Sequence, residues 1–486
     1  MRGAARPMMG MQSADGKEMS MEERRDMMRH HHMQTLWVYW MLVMLGALLV
    51  LSPLTFQYDA GIVRPPGGRV LWLSDHDRAA YMKWSDIISG ITLIIFGCRS
   101  LLPGRQLSIW ISCLTGVWLC MAPLIFWAPS PGIYLTDTIT GMLAIAATVL
   151  IPGMPGMLLY MKPGAEIPEG WSYNPSSWPQ RWIMIVLGFL GFVVSRYLAA
   201  YQLGYLGHVW DPLFGNSSTQ VLTSATSRSL PVSDAGLGTL AYTFEFLMGF
   251  MGGVSRWRTM PWMVSFFGLL VIPLGLVHIF LVISQPLTVG AWCFFCLAAA
   301  AIMLPMIPLE ADEVVAMIQH MRQATRGGER FWPVFWKGGR PAGGSADTRS
   351  PELMQLNRRF GNVFRSSLWG MSVPPTLLLS ALLGILLLCL PGIAEMDIRS
   401  SFSNINHLYG ALAVVIAVIS MGEVVRPLRL LNIAVGLGLA VLPWIHSTAS
   451  AGLKLTDLAG GLLLVACALP RGRIREQYGW WNKYIK

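Results

Sequence analysis

Apolar residues fall in long runs, each near the roughly 20 residues a helix needs to cross a bilayer core. Twelve runs stand near 35–55, 87–103, 108–127, 138–161, 181–203, 235–252, 262–284, 291–309, 371–394, 404–421, 427–445 and 456–470. The pattern predicts an all-α polytopic membrane protein with about twelve transmembrane helices. A polar tail, 1–34, precedes the first run; it is too long and too acidic for a signal-peptide n-region and is expected to be retained.

Small and polar residues repeat inside the runs. Asp86-x-x-x-Gly90 recurs as Asp137-x-x-x-Gly141, and Asn406-x-x-x-Gly410 recurs as Asp457-x-x-x-Gly461, with the same interval in each half. Gly116 and Pro123 correspond to Gly436 and Pro443, and Gly46/Pro53 and Gly384/Pro391 keep the same Gly-to-Pro spacing. The Asp or Asn is expected to cap a helix at the membrane surface. The Gly one turn on is expected to let helices approach closely, with the Pro toward the outer end of its span. Ser52-Pro53 and Pro443-Trp444 keep parts of a Ser-Pro-Trp motif. The two repeat pairs, 35–162 and 371–470, thus resemble the SPW-repeat membrane family, and both halves are read as structural.

Composition supports the class. Hydrophobic residues make up 54% of the 486 and charged residues 13%, about half the charged fraction of soluble domains. That excludes a water-soluble enzyme and, for most of the length, disorder. The net charge of +10 reads as cytoplasmic loops and membrane lipid contact rather than nucleic-acid binding. Arg99 and Arg105, Lys162 and Arg181, and Arg256 and Arg258 flank alternate turns. Basic residues from Arg322 to Arg359, among them Arg358, follow; then come Arg426 with Arg429, and Arg471 with Arg473 and Arg475. Loops 128–136 and 284–290 have no Lys or Arg. Both termini are therefore expected in the cytoplasm, with loop 57–85 as the exception that carries basic residues outside. The stretch 311–370 reads as a basic cytoplasmic linker and 471–486 as a cytoplasmic tail.

Trp292-Cys293-Phe294-Phe295-Cys296 opens the eighth run. Two cysteines three apart at a helix start share a face and can close a disulfide, and the helix N-terminus lowers a thiol pKa. By the orientation above this end faces outward, where thiols become disulfides. The plainer reading is two small core residues, like Cys113 and Cys120. No second cysteine pair or His cluster is available at that face for zinc. Thioethers and imidazoles in the tail (Met8, Met9, Met11, Met19, Met21, Met27, Met28, Met33 and His30 to His32) suit Cu(I), but such a tail is more often a surface segment; no metal site is assigned.

Upstream of the cysteines run Val221-Leu222-Thr223-Ser224, then Leu230-Pro231-Val232-Ser233-Asp234-Ala235-Gly236-Leu237-Gly238, then Ala241-Tyr242. A Ser-bearing loop, a Pro-led re-entry, a Gly-rich helix ending its second turn in Tyr, two spans and a CxxC follow in order. In that order, residues 181–310 resemble the vitamin K epoxide reductase family, within a module spanning 163–310. The resemblance implies a central four-helix quinone-binding bundle between the two repeat halves. It implies Cys293 as the sulfur exchanging with an incoming dithiol and Cys296, one turn deeper, facing the quinone. Asp234 takes the place of a quinone-binding Asn, and Ser224 or Ser227 that of a loop serine; Ser233 and Tyr242 complete the cofactor-binding set together with His278. The family's second cysteine pair is missing, since residues 181–292 contain no cysteine, and the Tyr four residues past the second cysteine is replaced by Ala300.

Glu245 lies deep in its run, where an ionisable group is costly and points to function. Its alternative reading is a carboxyl that glues helices, with Arg196 as a partner. His278 sits in the outer third of the seventh run, and both it and Glu245 are candidates for proton delivery, because reducing a quinone consumes two protons. The expected function is a thiol–quinone oxidoreductase. A thioredoxin-like extracytoplasmic thiol protein in trans passes electrons through Cys293 and Cys296 to ubiquinone or menaquinone in a bacterial inner membrane, with the CxxC facing the periplasm. The competing expectation is a non-enzymatic membrane scaffold or redox sensor.

Overall fold

A computed structural model describes residues 20–153, 164–340, 343–351 and 359–485. Met8, Met9, Met11, Met19, Lys162 and Arg358 lie outside them. A short polar helix, α1 (Met21–Gln34), is capped by Ser20, whose hydroxyl accepts the Glu23 N–H while the Glu23 carboxylate accepts the Ser20 N–H. The spanning helices that follow are α2 (Leu36–Thr55), α3 (Asp75–Ser100), α4 (Gln106–Ile125), α5 (Pro131–Leu150) and α6 (Trp178–Gln202). A shorter helix, α7 (Asp234–Gly249), precedes α8 (Pro261–Val289) and α9 (Phe294–Arg326). The last four are α10 (Pro375–Ile393), α11 (Ser401–Ile419), α12 (Glu423–His446) and α13 (Ala451–Ala468). Eleven of these are long and apolar enough to cross a membrane. The described residues contain three isolated β-bridges and no sheet.

The twelfth expected span, 235–252, is the difference. Its helix has 16 residues, about 24 Å at 1.5 Å per residue, short of the hydrocarbon thickness of about 30 Å. Two buried arginines end it early. Arg181 donates to the carbonyls of Gly249, Met251 and Gly252 at 2.8–2.9 Å, and Arg256 donates to that of Met248 at 3.1 Å. These guanidinium groups occupy the carbonyls that a helix end leaves unpaired. Gly252, at φ +78°, then turns the chain away.

At α9 the opposite happens. Hydropathy marks an end near 309, yet the helix continues to Arg326. Ala, Glu, Met and Gln in Glu310–Arg326 are strong helix formers. The acids that stop the apolar run, Glu310, Asp312 and Glu313, are buried, and two of them are partnered: Arg256 pairs with Glu313 through both carboxylate oxygens, and Tyr173 donates to Asp312. Residues 311–326 of the stretch read as a linker therefore belong to this helix, and most of them are buried.

The repeat helices meet at their glycines. A Cβ on Gly46 would come within 2.5 Å of the Gly90 carbonyl oxygen, and one on Gly116 within 2.8 Å of that of Gly141. Gly384 with Gly410 (2.7 Å) and Gly436 with Gly461 (2.5 Å) repeat the contact in the other half. Backbones this close leave no room for a side chain, which is the use of small residues at membrane helix interfaces. Pro53, Pro123, Pro391 and Pro443 lie in the last turns of their helices.

Asp86, Asp137, Asn406 and Asp457 are not caps. Their helices begin earlier, where Ser74, Ser130, Ser400 and Ser450 accept the N–H groups of Asp77, Ile133, Ser403 and Leu453. The four polar side chains are instead fully buried within the helices and face each other in pairs: the Asn406 Nδ2 donates to Asp457 Oδ2 at 3.0 Å, and Asp86 lies against Asp137.

Candidate active site

The two cysteines of the CxxC are joined by a disulfide, with their Cα atoms 5.2 Å apart. Cys293 is the N-cap of α9 and its Sγ accepts the Cys296 N–H at 3.2 Å. That amide, together with the positive end of the helix, favours a negative sulfur at Cys293 once the disulfide opens. Upstream, Gly290 adopts the left-handed region at φ +71° and ends α8, and the Gln285 side-chain oxygen accepts the Cys293 N–H at 3.1 Å.

The loop between α6 and α7 covers this end. Asp211 is its organiser, accepting the N–H groups of Leu213, Phe214 and Ser218 and, at 2.6 Å, the Ser218 hydroxyl. The Ser218 oxygen in turn accepts the Phe294 N–H at 3.2 Å, between the two cysteines. Val209, Val221 and Leu222 of the loop share a buried cluster with Cys293. Cys293 is accordingly 0% exposed, whereas Cys296 is half-buried.

The other expected residues are placed as follows. Ser233 caps α7, its oxygen accepting the Gly236 N–H at 2.9 Å while its hydroxyl donates to Gln202 at 2.6 Å. Asp234 accepts from the Ser227 hydroxyl at 3.1 Å and from the Ala235 N–H. Both side chains tie the loop and the start of α7 to Gln202 on α6. Of the two loop serines, Ser227 joins this network and Ser224 accepts the Ser227 N–H. The Tyr242 hydroxyl donates to the Ala299 carbonyl at 2.9 Å, one turn below Cys296. The His278 ring stands edge-on to Tyr242 with centroids 6.2 Å apart; among the described residues it makes no hydrogen bond. Tyr242 and His278, from α7 and α8, thus meet one turn below Cys296 of α9.

Gly191 on α6 makes room for this arrangement, since a Cβ there would sit 2.3 Å from the Tyr242 ring. Arg196 does not partner Glu245. It donates to Thr138 at 3.0 Å and lies over the Tyr134 and Phe192 rings, which turns it toward α5. Glu245 is 0% exposed, and neither carboxyl oxygen has a hydrogen-bond partner among the described residues.

Sequence reasoning missed two features. Ring contact between Trp292 and His407 of α11, at 5.2 Å, together with a hydrogen bond from Arg399 to the Val289 carbonyl, brings the C-terminal repeat against the cysteine segment. The second feature is the group of buried acids on α9. No local signal marks the former; the latter is visible as acidic residues continuing a helical pattern.

In a polytopic α-helical membrane protein, a disulfide-forming cysteine pair at the head of a long helix, taken with the family match that follows, supports an oxidoreductase-type role in general terms. The model of the vitamin K epoxide reductase family matches residues 182–311, and a domain of that family occupies this stretch of a larger multi-helix protein. A quinone-linked mechanism follows from that domain in general terms. Among curated proteins and solved structures, none matches the chain, and no comparison supports the SPW-repeat likeness of the flanking units.

Proposed function

We propose that the protein is a membrane thiol–quinone oxidoreductase in which a dithiol protein in trans reduces the Cys293–Cys296 disulfide, and the pair returns two electrons to a membrane quinone. The observation that carries the reading is this disulfide at the head of α9 inside the stretch matched by the vitamin K epoxide reductase family. With α7, whose C-terminal end is bound by Arg181 near the start of α6, counted as a twelfth crossing, the distribution of Lys and Arg supports an outward-facing CxxC with both termini in the cytoplasm of a bacterial inner membrane. The absence of any cysteine in 181–292 supports direct exchange with the thiols of another protein, for which an extracytoplasmic thioredoxin-like donor is proposed.

In thiol exchange a partner thiolate attacks one sulfur and the other leaves as thiolate. Once the pair is reduced, the helix-end position and the Cys296 N–H hold Cys293 as the thiolate. It also lies beneath the 209–222 segment, so exchange at Cys293 requires the Asp211–Ser218 clasp to lift. Cys296, half-buried, faces the bundle level of Tyr242 and His278. A bound ubiquinone or menaquinone supplies an acceptor for two electrons and two protons. On this reading the ring would lie against His278 and Tyr242. His278 has ring nitrogens free to hold a carbonyl oxygen, and Tyr242, fixed by Ala299, forms a wall. Ser233 and Asp234 shape the rim through Gln202 and Ser227. The flanking repeats, 35–162 and 371–470, brace the module.

Reconstitution of the purified protein with a reduced dithiol and a short-chain ubiquinone tests the reading by the rate of quinol formation. Turnover abolished in both Cys293→Ser and Cys296→Ser is expected; unchanged turnover in either variant overturns the assigned roles. A second reading, a redox sensor or scaffold without turnover, is favoured by the missing second cysteine pair. It predicts a reducible disulfide with no quinol formed.

A further inference from the structure

Four buried carboxyl groups, Glu245, Glu310, Asp312 and Glu313, lie between the level of Tyr242 and the far end of α9. Measured along the helices at 1.5 Å per residue, Tyr242 stands about 12 Å into α7 and Glu245 about 16 Å, while Glu310 stands about 24 Å into α9. Glu310 is 2% exposed and its Oε1 has no hydrogen-bond partner among the described residues. Glu245 and Glu310 lie within the range at which their charges act on each other, as do Glu245 and Tyr242. Glu313 is already neutralised by Arg256 at 2.5–2.6 Å, and Asp312 accepts from Tyr173. Arg181 is spent on the α7 carbonyls. Among the described residues no hydrogen bond reaches either Glu245 oxygen, and an unpaired carboxylate in a dry interior is far too costly to persist. Glu245 therefore carries a proton, next to the level where two protons are consumed.

We propose that Glu310 and Glu245 form a proton relay from the cytoplasmic side to the quinone site, so that turnover separates charge across the membrane. The inference rests on the reading above, including its orientation. The balance is complete: the partner's two thiols lose two electrons and two protons outside and form an S–S bond, and the quinone gains two electrons from the cysteine pair. Its two protons come from inside by way of Glu310 and Glu245. Per quinol, two protons appear outside and two vanish inside.

Proteoliposomes with the CxxC facing out, a pH dye trapped inside, and valinomycin with potassium to collapse the potential read the side of uptake. With dithiothreitol and a short-chain ubiquinone, the interior is expected to become alkaline in step with quinol formation. Glu245→Gln and Glu310→Gln are each expected to slow both signals by about a hundredfold, while Asp86→Asn, outside the relay, leaves them in place. Quinol formation with no change of internal pH, or at an undiminished rate in both variants, overturns the relay. Infrared spectra of the quinone-free protein supply the second readout: a protonated-carboxyl band that shifts in heavy water and is missing in Glu245→Gln. Absence of turnover in the wild type would sink the thiol–quinone reading, and the infrared band then decides the relay by itself: a wild type without it refutes a protonated, exchanging Glu245.

Discussion

The Asn406 side-chain amide donates to the Asp457 carboxylate at 3.0 Å, and in the N-terminal unit the two corresponding places hold Asp86 and Asp137. One pair carries a built-in donor; the other has none. Asp86 already accepts from Tyr58 and Ser52, and both Asp137 oxygens lack a donor among the described residues. A shared proton does for the first pair what the amide does for the second.

Asp86→Asn, which copies the C-terminal pair, is therefore expected to keep or raise thermal stability in detergent. Asp86→Ala removes the acceptor of the Tyr58 hydroxyl and the partner of Asp137 and should lower stability by about 1–3 kcal/mol. Equal losses in both variants would contradict the equivalence of the two pairs.

The clasp over Cys293 responds to acid. Partial burial works against ionisation of Asp211, but hydrogen bonds from the Ser218 hydroxyl and from the Phe214, Leu213 and Ser218 amides prevail and hold its carboxyl below the usual range. A lowered folded-state pKa stabilises the closed loop above the ordinary Asp value of about 3.9, and this contribution disappears as pH falls through the folded-state value. Labelling of Cys293 in reduced protein by a thiol reagent active in acid, such as a dipyridyl disulfide, should be slow near neutrality. It should accelerate several-fold in Asp211→Ala, and the difference between variant and wild type should vanish in strong acid. A labelling rate untouched by Asp211→Ala would show that the loop does not guard the sulfur.

Gly191→Ala drives a methyl group into the Tyr242 ring. Overpacking of this kind costs about 1–3 kcal/mol, and the hydrogen bond from Tyr242 to Ala299 should weaken with it. Thermal unfolding gives the first effect. Turnover gives the second, with a larger loss than in Gly188→Ala, where a Cβ meets Phe246 at 3.1 Å.

Arg256 and Glu313 form an ion pair with side chains 1% and 3% exposed. Removing either partner alone leaves a buried charge unmatched, so Arg256→Met should cost about 3–5 kcal/mol. Joining it with Glu313→Leu is expected to recover most of that loss. A double-mutant cycle in thermal unfolding measures the coupling, and additive losses would refute it.

Much of the framework was legible along the chain. Hydropathy located the spanning helices because burial in lipid is a property each segment carries by itself. The glycine and proline intervals located the helix contacts, since only small residues permit backbones to touch. The CxxC marked the head of α9. Polar residues were harder to read. Asp86 and Asp137 looked like caps because a cap and a buried pair use the same residue types, and only the start of each helix at a serine separates the two.

By itself, then, the amino-acid sequence determined the membrane class, the helical segments, the internal repeat and the cysteine pair. The tertiary structure alone decided which polar groups meet: Asn406 with Asp457, Arg196 with Thr138 rather than Glu245, Arg181 and Arg256 with the end of α7, and the loop with Cys293. The physical reason is that apolar burial sums over neighbouring residues, whereas a hydrogen bond or ion pair depends on two groups far apart in the chain arriving within about 3 Å of each other.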